Sequence, residues 1–554
     1  MKYTLQPSPQ AHALAQRLSL RQAANQVCCP LLNFEPSEPL LLGALLGGAH
    51  ISRGTREKIA GQTQALRAAC ESPPLSIPPF CTADLECGPG RAVLGTSEFP
   101  DFMGLGANDS EELAYEVGKA TALEARSVGL NWTFSPCVDL AQLADSPVVS
   151  TRSAGRHVEQ VIRVARGYLR GLQDHGVVAT LKHFPGDGHA TFDQHLTTVQ
   201  NPLSRSDWWQ GPGRVYRELI EAGAKTIMSG HIALPAFDEP DARGLFPPAT
   251  VSRRLLTELL RGELGFAGLL VSDAMGMGGV AGFVPPFEAY WRFLEAGGDC
   301  VLFARVTERR FYPELERALL EKILSERTLY DRAARILQFK HDQGLLVLGA
   351  AGPQSSEVPL PAVDSVAIDS VAIDSVAIDS AAHASLARRV ADGAVTLVRD
   401  RERLLPLSLQ RSTRVLHVVL ASPSYPQYEE QRGAYTALSA ALGERCLVEE
   451  LDDPGPHVLF ERVDQFDLVI CSIGAATSWG VSVARLHGPI CRNLMEGWMR
   501  LGTPVVFINH IHPFVHLEFD ALMDCVINTY RSLPCTGERI VRGLTGEQAF
   551  TGKF

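Results

Sequence analysis

Several features that would place this chain in a common class are missing from it. Its 12 cysteines include no CxxC pair, so a zinc site built on cysteine is not expected. The net charge is −11 and no basic stripe of useful length is present, which argues against polyanionic partners. The sequence therefore predicts no nucleic-acid partner and no membrane partner, and it leaves the oligomeric state open.

Long hydrophobic runs are also missing. The first residues, MKYTLQPSPQAHALAQRLSL, lack an uninterrupted apolar core, and the most apolar early run, 39–48, is too short to span a bilayer. Several cysteines lie within strand-like apolar runs, such as Cys300 in DCVLF and Cys471 in LVICSIG. A reduced thiol acts there as a small hydrophobic side chain. We therefore expect a cytoplasmic protein.

The chain does contain enough apolar material for two domains. It has 554 residues, of which 45% are hydrophobic and 20% charged. A chain of this length is too long to fold around one hydrophobic core. The segment 365–379 repeats SVAID three times, with a period that fits neither a helix face nor a strand face. We predict a first domain at 1–350, a linker at 351–384 and a second domain at 385–554.

The first domain alternates helical and strand-like segments. Residues 108–129 begin with a capping Asn-Asp-Ser, continue with apolar residues at helical spacing and end at Gly129. Further helices are predicted at 158–173, 213–221, 253–264 and 287–295, each followed by a short apolar run rich in β-branched residues. Repeated units of this length favour a closed, parallel (β/α)8 TIM-like barrel.

The second domain shows a similar alternation without a phosphate loop or a GxGxxG motif. The strand-like runs are TLVR, VLHVVLA, DLVICSIG and PVVFINH, and 483–501 is predicted to be helical. The pattern favours an open, mostly parallel sheet. The predicted fold class is thus α/β, with an N-terminal (β/α)8 TIM-like barrel followed by a C-terminal α/β sandwich domain.

Polar residues follow the strand-like runs of the first domain at equivalent positions. They are Asp84, Glu86, Asp139, Lys182, His183, His231 and Asp273. In a parallel barrel the carboxyl ends of all strands meet at one face, where the chemistry takes place. The sequence therefore predicts that these side chains share one pocket.

The stretch KHFPGDGHATFDQH, 182–195, carries the densest group of functional side chains. His183, Asp187, His189, Asp193 and His195 could ligate a metal. Their spacing is neither HxH nor HxxxH, and the Phe-Pro-Gly-Asp-Gly loop need not make them converge. A purely structural loop is a further alternative. We predict no metal and no cofactor.

Acid–base chemistry by Asp193 and His195 is the favoured interpretation of this stretch. On an extended loop, side chains two residues apart point the same way, so the carboxylate can accept a hydrogen bond from one imidazole nitrogen. The other nitrogen can then exchange a proton near neutral pH. Asp273 in LLVSDAMGMGG, at a strand end beside small residues, is the best partner nucleophile.

Two long motifs resemble a known enzyme family. KHFPGDG followed by DxH, and PATVSRRLLTELLRGELGFAGLLVSDAMGM, resemble glycoside hydrolase family 3, in particular its β-N-acetylglucosaminidase branch. Shorter matches are LSLRQAANQV, ADLEC, SPCVDL, SPVVSTRSAG and VTLVRDRERLLPL. Two positions depart from the family: its DxEGG turn is DLECG here, and Gln194 stands where many members have Ser.

The resemblance implies roles for particular residues. Asp273 becomes the nucleophile, and Asp193 with His195 the acid/base. Substrate-holding residues are Asp84, Arg152, Lys182, His183, Asp139 and His231. The implied reaction is retaining hydrolysis that releases terminal β-linked N-acetylglucosamine, with peptidoglycan fragments as one source of this carbohydrate. Phosphorolysis at the same site, β-glucosidase activity and a catalytically silent sugar-binding protein remain as alternatives.

Overall fold

The computed structural model describes residues 2–32, 45–70, 75–304, 308–348, 380–421, 428–477, 480, 483–486 and 488–554. The SVAID repeats and most of the predicted linker lie outside these residues. Contacts divide the chain into a barrel unit, 1–97, 115–139 and 165–379, and a sandwich unit, 98–114, 140–164 and 380–554. The domain boundaries at 350 and 385 stay a prediction.

Eight parallel strands form the barrel unit. They are β1 (Cys28–Leu32), β2 (Gly48–Ile51), β3 (Phe80–Ala83), β4 (Trp132–Thr133), β5 (Val178–Phe184), β6 (Thr226–Ser229), β7 (Leu269–Ser272) and β8 (Val301–Ala304). Consecutive strands from β1 to β7 are neighbours, and β8 pairs with β1. A parallel bridge from Val271 in β7 to Cys300 brings the two edges together. The predicted TIM-like barrel is confirmed.

Helices precede β1 and follow most of the later strands, in segments of both units. They are α1 (Pro9–Arg17), α2 (Leu20–Gln26), α3 (Arg56–Cys70), α4 (Phe102–Ala107), α5 (Glu111–Arg126), α6 (Val158–Asp174), α7 (Arg205–Gln210), α8 (Pro212–Glu221), α9 (Gly278–Ala281), α10 (Pro286–Ala296), α11 (Glu308–Leu320) and α12 (Glu326–Asp342). A π-helix occupies Arg254–Glu263. The five helices predicted in this region are confirmed to within three residues at each end, and one of them is wound as the π-helix.

Large side chains fill the middle of the barrel. The rings of Phe80 and Trp132 meet edge to face with centroids 5.3 Å apart, and the Trp132 indole N–H donates to the Thr180 hydroxyl at 2.7 Å. Val178, Met228 and Leu269 belong to the same buried cluster. A packed interior restricts functional groups to the strand ends, as in other barrels of this type.

The sandwich unit contains a six-stranded sheet. Its strands are β9 (Thr396–Asp400), β10 (Arg414–Leu420), β11 (Leu447–Asp452), β12 (Leu468–Ile473), β13 (Val505–Asn509) and β14 (Cys525–Asn528), in the order β9-β14-β13-β12-β10-β11. Only the pairing of β9 with β14 is antiparallel. Its helices are α13 (Ser380–Ala394), α14 (Tyr428–Gly443), α15 (Pro456–Arg462), α16 (Gly488–Met495), α17 (Val515–Glu518) and α18 (Thr536–Leu544). The predicted mostly parallel α/β sandwich is confirmed.

One predicted helix is wrong in extent. The prediction covered 483–501, whereas α16 is limited to Gly488–Met495 and is followed by a short 3-10 turn at Trp498–Arg500. Gly488 and Gly497 have φ values of +65° and +74°. These left-handed conformations interrupt helical geometry at both ends of α16.

Within the described residues, no helix is both long enough and apolar enough to cross a membrane.

Candidate active site

Asp193 and His195 form a hydrogen-bonded pair in the loop after β5. Nδ1 of His195 lies 2.6 Å from Oδ1 of Asp193, and the same oxygen accepts from the His195 backbone N–H at 2.8 Å. The predicted contact is confirmed, but the predicted extended backbone is wrong. Residues 194–196 form a turn in which the N–H of Leu196 donates to the carbonyl of Asp193 at 3.0 Å. Since a carboxylate only accepts, Nδ1 of His195 carries a proton.

A second pair of the same kind lies at the end of β5. Nδ1 of His183 donates to Oδ2 of Asp139 at 2.7 Å, and the backbone N–H groups of His183 and Asp187 donate to Oδ1 at 3.1 and 2.8 Å. Burial acts to raise the pKa of Asp139, but His183 and these N–H groups lower it below its usual 3.8. Asp139 is therefore an ionised anchor for the start of the loop.

Lys182 joins the ends of β5 and β3. Its Nζ lies 2.8 Å from Oδ1 of Asp84 and 2.7 Å from Oε1 of Glu86. The Lys182 side chain is buried, whereas half of the Asp84 side chain is exposed. Asp84 and Lys182 were both predicted as sugar ligands. Glu86 was recognised only as a strand-end residue, although its contact with Lys182 gives it an equal place here.

His231 and Asp273 follow β6 and β7. Nε2 of His231 lies 3.0 Å from the carbonyl of Ala274, so that nitrogen carries a proton. Nδ1 contacts the Thr250 hydroxyl at 2.8 Å. Oδ1 of Asp273 accepts from the N–H of Ala274 at 2.7 Å, which fixes the orientation of the carboxylate.

The charges of these groups act on one another. Burial lowers the pKa of His231 below 6.5, against the opposing effect of Asp273, and His195 and His183 lower it further. Burial acts to raise the pKa of Asp273, but His183, His231 and Lys182 lower it below 3.8. Asp273 is thus an anion at neutral pH. Lys182 and His183 in β5, His231 after β6 and Asp273 after β7 are therefore close enough for their charges to interact.

Arg152 belongs to the other unit. It ends the short helix Ser150–Arg152 within 140–164, and its Nη1 donates to the carbonyl of Val148 at 3.3 Å. Its predicted role as a sugar ligand therefore stays a prediction.

The side chains that lie close enough together to ligate a metal are not the set that the sequence suggested. Across the described parts of the chain, the grouped candidate ligands are Cys137, Asp139 and His183, with all ligand atoms within 4.8 Å of one another. Asp187 and His189 are not in that group. The Asp139 oxygens already accept from His183 and from the Cys137 thiol, the latter at 3.2 Å. The group is accounted for as a hydrogen-bonded cluster.

Comparison with known proteins assigns the chain to a family. Residues 37–339, more than half of the chain, match the glycosyl hydrolase family 3 N terminal domain. The chain belongs to glycoside hydrolase family 3. As a member of this family, the protein is a glycosidase.

The relatives of this family 3 glycosidase match different shares of the chain. A β-N-acetylglucosaminidase/β-glucosidase of Cellulomonas fimi is 29% identical over 529 residues, which cover 93% of this chain and 90% of that protein. A β-hexosaminidase of Stenotrophomonas maltophilia is 33% identical over 257 residues, or 45% of this chain and 72% of the relative.

Two solved structures are similar along nearly the whole length of the glycosidase. The β-glucoside phosphorylase BglX has a TM-score of 0.83 and 26% identity, covering 100% of this chain and 96% of its own. A family 3 β-N-acetylglucosaminidase from Paenibacillus has a TM-score of 0.77 and 26% identity, covering 97% and 98%. The two-domain architecture is shared with both.

Proposed function

We propose that this enzyme is a retaining exo-β-N-acetylglucosaminidase in which Asp273 is the nucleophile and His195, held by Asp193, is the acid/base. The observation that carries the proposal is the 2.6 Å contact between His195 Nδ1 and Asp193 Oδ1. This contact fixes the proton on Nδ1 and assigns the exchangeable proton to Nε2. It lies on the loop after β5, which is the neighbour of β6, and β7 is the next strand of the sheet. His231 follows β6 and Asp273 follows β7.

In the first step, Asp273 attacks the anomeric carbon of the terminal sugar. A bond forms between its carboxylate oxygen and that carbon, while the bond to the leaving oxygen breaks and this oxygen takes the proton from Nε2 of His195. The positive charge on the imidazole is lost in that transfer. The products are a glycosyl ester on Asp273 and the free aglycone alcohol.

In the second step, His195 is neutral and its Nε2 accepts a proton from water. The water oxygen bonds to the anomeric carbon, the ester bond breaks and Asp273 is released as a carboxylate. Two inversions at one carbon give overall retention. Asp193 serves both steps because its negative charge stabilises the imidazolium and keeps Nδ1 protonated.

The remaining predicted residues are proposed to hold the sugar. Asp84 and Lys182 are paired at the end of β3 and β5, and a half-exposed carboxylate beside a buried ammonium suits two neighbouring sugar hydroxyls. His183 and His231 interact with the nucleophile through charge. Asp139 orients His183. Arg152 is proposed as a further sugar ligand, as the family resemblance implies.

A chromogenic β-N-acetylglucosaminide tests the proposal directly. We expect the wild type to release the chromophore and Asp273→Ala to release none above background. If Asp273→Ala releases the chromophore as fast as the wild type does, the assignment of Asp273 as the nucleophile is contradicted. The matching β-glucoside, assayed in parallel, distinguishes hexosaminidase from β-glucosidase activity.

Phosphorolysis is a second candidate, favoured by the similarity to a β-glucoside phosphorylase along the whole chain. A neutral imidazole repels a phosphate nucleophile less than a carboxylate acid/base would. In that case phosphate would replace water in the second step and the product would be a sugar 1-phosphate. The candidate is abandoned if added phosphate changes neither the rate nor the product.

We further propose a reducing compartment, the cytoplasm, and peptidoglycan fragments as a natural substrate. All 12 cysteines are free thiols and most are buried, as expected where disulfides do not persist. Cells are separated into a cytoplasmic and an extracellular fraction, and each fraction is assayed with muropeptide-like N-acetylglucosaminides. We expect this activity in the cytoplasmic fraction.

A further inference from the structure

Gln194 separates the two members of the acid/base pair, and its side chain is fully buried. Its amide makes two hydrogen bonds in opposite directions. Oε1 accepts from the backbone N–H of His231 at 2.9 Å, and Nε2 donates to Oδ2 of Asp187 at 3.2 Å. One amide therefore connects the turn that bears Asp193 and His195 to the ends of β5 and β6.

The backbone of the same turn is attached to the loop after β7. The N–H of Gly279 donates to the carbonyl of Gln194 at 3.0 Å, and that of Gly278 to the carbonyl of His195 at 2.8 Å. A Cβ added to Gly279 would lie 2.6 Å from the Gln194 carbonyl oxygen. The close approach requires glycine, and it ties the turn to the segment that begins with Asp273.

The two hydrogen bonds of the Gln194 side chain require a side chain that is long and ends in an amide. The acceptor oxygen and the donor nitrogen must face different loops at the same time, because the backbone N–H of His231 can only donate and Oδ2 of Asp187 accepts from Nε2. Oδ1 of Asp187 is itself held by the N–H of Gly188 at 2.7 Å. A short hydroxyl side chain cannot reach both partners.

We propose that Gln194 is a positioning residue that holds the Asp193–His195 pair in place over the substrate before substrate binds. It acts through His195, touches no reacting atom and so is not catalytic. The inference rests on the proposed function of His195 as acid/base. Its consequence is that the acid/base is preorganised in this enzyme, since three consecutive strand ends hold the turn.

Loss of the two hydrogen bonds of the Gln194 side chain should impair proton transfer by His195 more than it impairs substrate binding or attack by Asp273. Glycosides with a poor leaving group, such as phenyl, need the proton from His195, whereas those with a dinitrophenyl leaving group depart without it. A displacement of the acid by about 1 Å costs on the order of 10²-fold in rate. The ratio of kcat/KM for the two substrates therefore reports the position of His195.

The experiment compares phenyl and dinitrophenyl β-N-acetylglucosaminides in the full chain. We expect Gln194→Ala to lower kcat/KM for the phenyl substrate by about 10²-fold and for the dinitrophenyl substrate by less than about 3-fold. Q194E keeps the oxygen that faces His231 but sets a carboxylate against Asp187, so it should show the same selective loss. Adding D187N to Q194E lets the new amide at position 187 donate to the new carboxylate at position 194. The double variant should therefore have a kcat/KM for the phenyl substrate about tenfold higher than that of Q194E.

Gln338 provides a matched control in the same unit. Its Oε1 accepts from the backbone N–H of Ser8 at 3.0 Å and its Nε2 donates to Oδ1 of Asp342 at 2.7 Å, away from the site. Gln338→Ala should lower the melting temperature without changing the substrate ratio. Equal losses for both substrates in Gln194→Ala, no loss in either, or no recovery in the double variant overturns the inference. A wild type that turns over neither substrate instead contradicts the proposed function on which the inference rests.

Discussion

At the scale of single residues, the site depends on carboxylates that fix histidine protons. His183 and His195 each present Nδ1 to a buried aspartate, at 2.7 and 2.6 Å. Both rings are thereby oriented with Nε2 as the reactive nitrogen. The arrangement gives one histidine to the sugar and one to the leaving group under the proposed mechanism.

Removal of the acid/base has a specific expected result. We predict that His195→Ala lowers kcat for a phenyl glycoside by about 10²–10⁴-fold, the usual contribution of general acid–base catalysis. Added azide needs no general base, so it should restore turnover of a dinitrophenyl glycoside and yield a β-glycosyl azide. Chromatography of the products measures this, and an azide product of α configuration or its absence would contradict the assignment.

The pH dependence follows from the charges around Asp273. Burial acts to raise its pKa, but His183, His231, the N–H of Ala274 and Lys182 hold the pKa below 3.8, so the Asp273 carboxylate is ionised above that pH. We therefore predict no loss of kcat/KM from protonation of Asp273 between about pH 7 and 5. Lys182→Gln removes a positive charge and should move the acid limb of the kcat/KM profile to higher pH. An acid limb at the same or a lower pH would contradict this account.

Residue-level prediction from the sequence succeeded where the partners are close along the chain. Asp193 and His195 are two residues apart, so their contact could be predicted, although the turn between them could not. Gln194 was noted only as a departure from the family, because its partners, His231 N–H and Asp187, are defined by loop geometry. The contact of Glu86 with Lys182 is of the same kind, since 96 residues separate them.

At the scale of secondary structure elements, the opposite end of the barrel is held by an ion cluster. Asp299, two residues before β8, is fully buried and lies 2.7 Å from Arg261 on the π-helix and 2.7 Å from Arg335 on α12. Burial acts to raise the pKa of Asp299, but the three neighbouring arginines hold the pKa well below its usual range. The cluster joins a strand to two helices.

Asp299→Asn should therefore destabilise the protein by about 3 kcal/mol, because it leaves partly buried guanidinium groups without their anion. The folded pKa is depressed, so this stabilisation is complete above the unfolded pKa of about 4 and is lost as pH falls through the folded pKa. Urea unfolding at pH 7 and at pH 3 should show a smaller difference between variant and wild type at the lower pH.

The matched control for this prediction is Glu263→Gln, which breaks an exposed pair with Arg205. Such surface pairs contribute less than about 1 kcal/mol. If both substitutions have the same effect at pH 7, the cluster does not stabilise the barrel as argued.

Element prediction was accurate where apolar periodicity and a stop signal agree. The helix predicted for 108–129 is observed at Glu111–Arg126, with Gly129 at a φ of +82° beyond its end. The helix predicted for 483–501 was too long, because its internal glycines were not recognised as positions of positive φ. The π-helical winding of Arg254–Glu263 leaves no signal in an amphipathic pattern.

At the scale of the whole molecule, the sandwich unit includes two segments from the N-terminal half of the chain, 98–114 and 140–164. Within that unit, the buried Asp101 accepts from Nε of Arg531 at 2.7 Å and from the Thr151 hydroxyl at 2.6 Å. Nδ2 of Asn108 donates to the carbonyl of Val390 at 3.0 Å. The segment 98–114 therefore depends on residues more than 280 positions further along the chain.

We predict that a fragment of residues 1–350 is less stable than the full chain and prone to aggregate. It leaves Asp101 buried without Arg531, and loss of one partner of a buried pair costs about 3–5 kcal/mol. Light scattering and thermal unfolding measure this. A cleavable site inserted into 365–379 is the control, since cleavage there removes no residue of either unit. A monomeric fragment with the melting temperature of the full chain would contradict the prediction.

The number and approximate positions of the barrel strands could be predicted because each βα unit repeats a local pattern. The assignment of 98–114 and 140–164 to the sandwich unit could not, since it depends on contacts between distant parts of the chain. Arg152 shows the consequence: the sequence grouped it with the barrel residues, and the structure places it in the sandwich unit.

The central claim is that Asp273 forms a covalent bond to the sugar. The most direct measurement is intact-mass analysis, followed by peptide mapping, of enzyme incubated with a fluorinated β-N-acetylglucosaminide that slows breakdown of the glycosyl ester. We predict one sugar adduct per chain, on the peptide containing Asp273, with no adduct in Asp273→Asn. No adduct on the active wild type, or an adduct on another residue, would contradict the account.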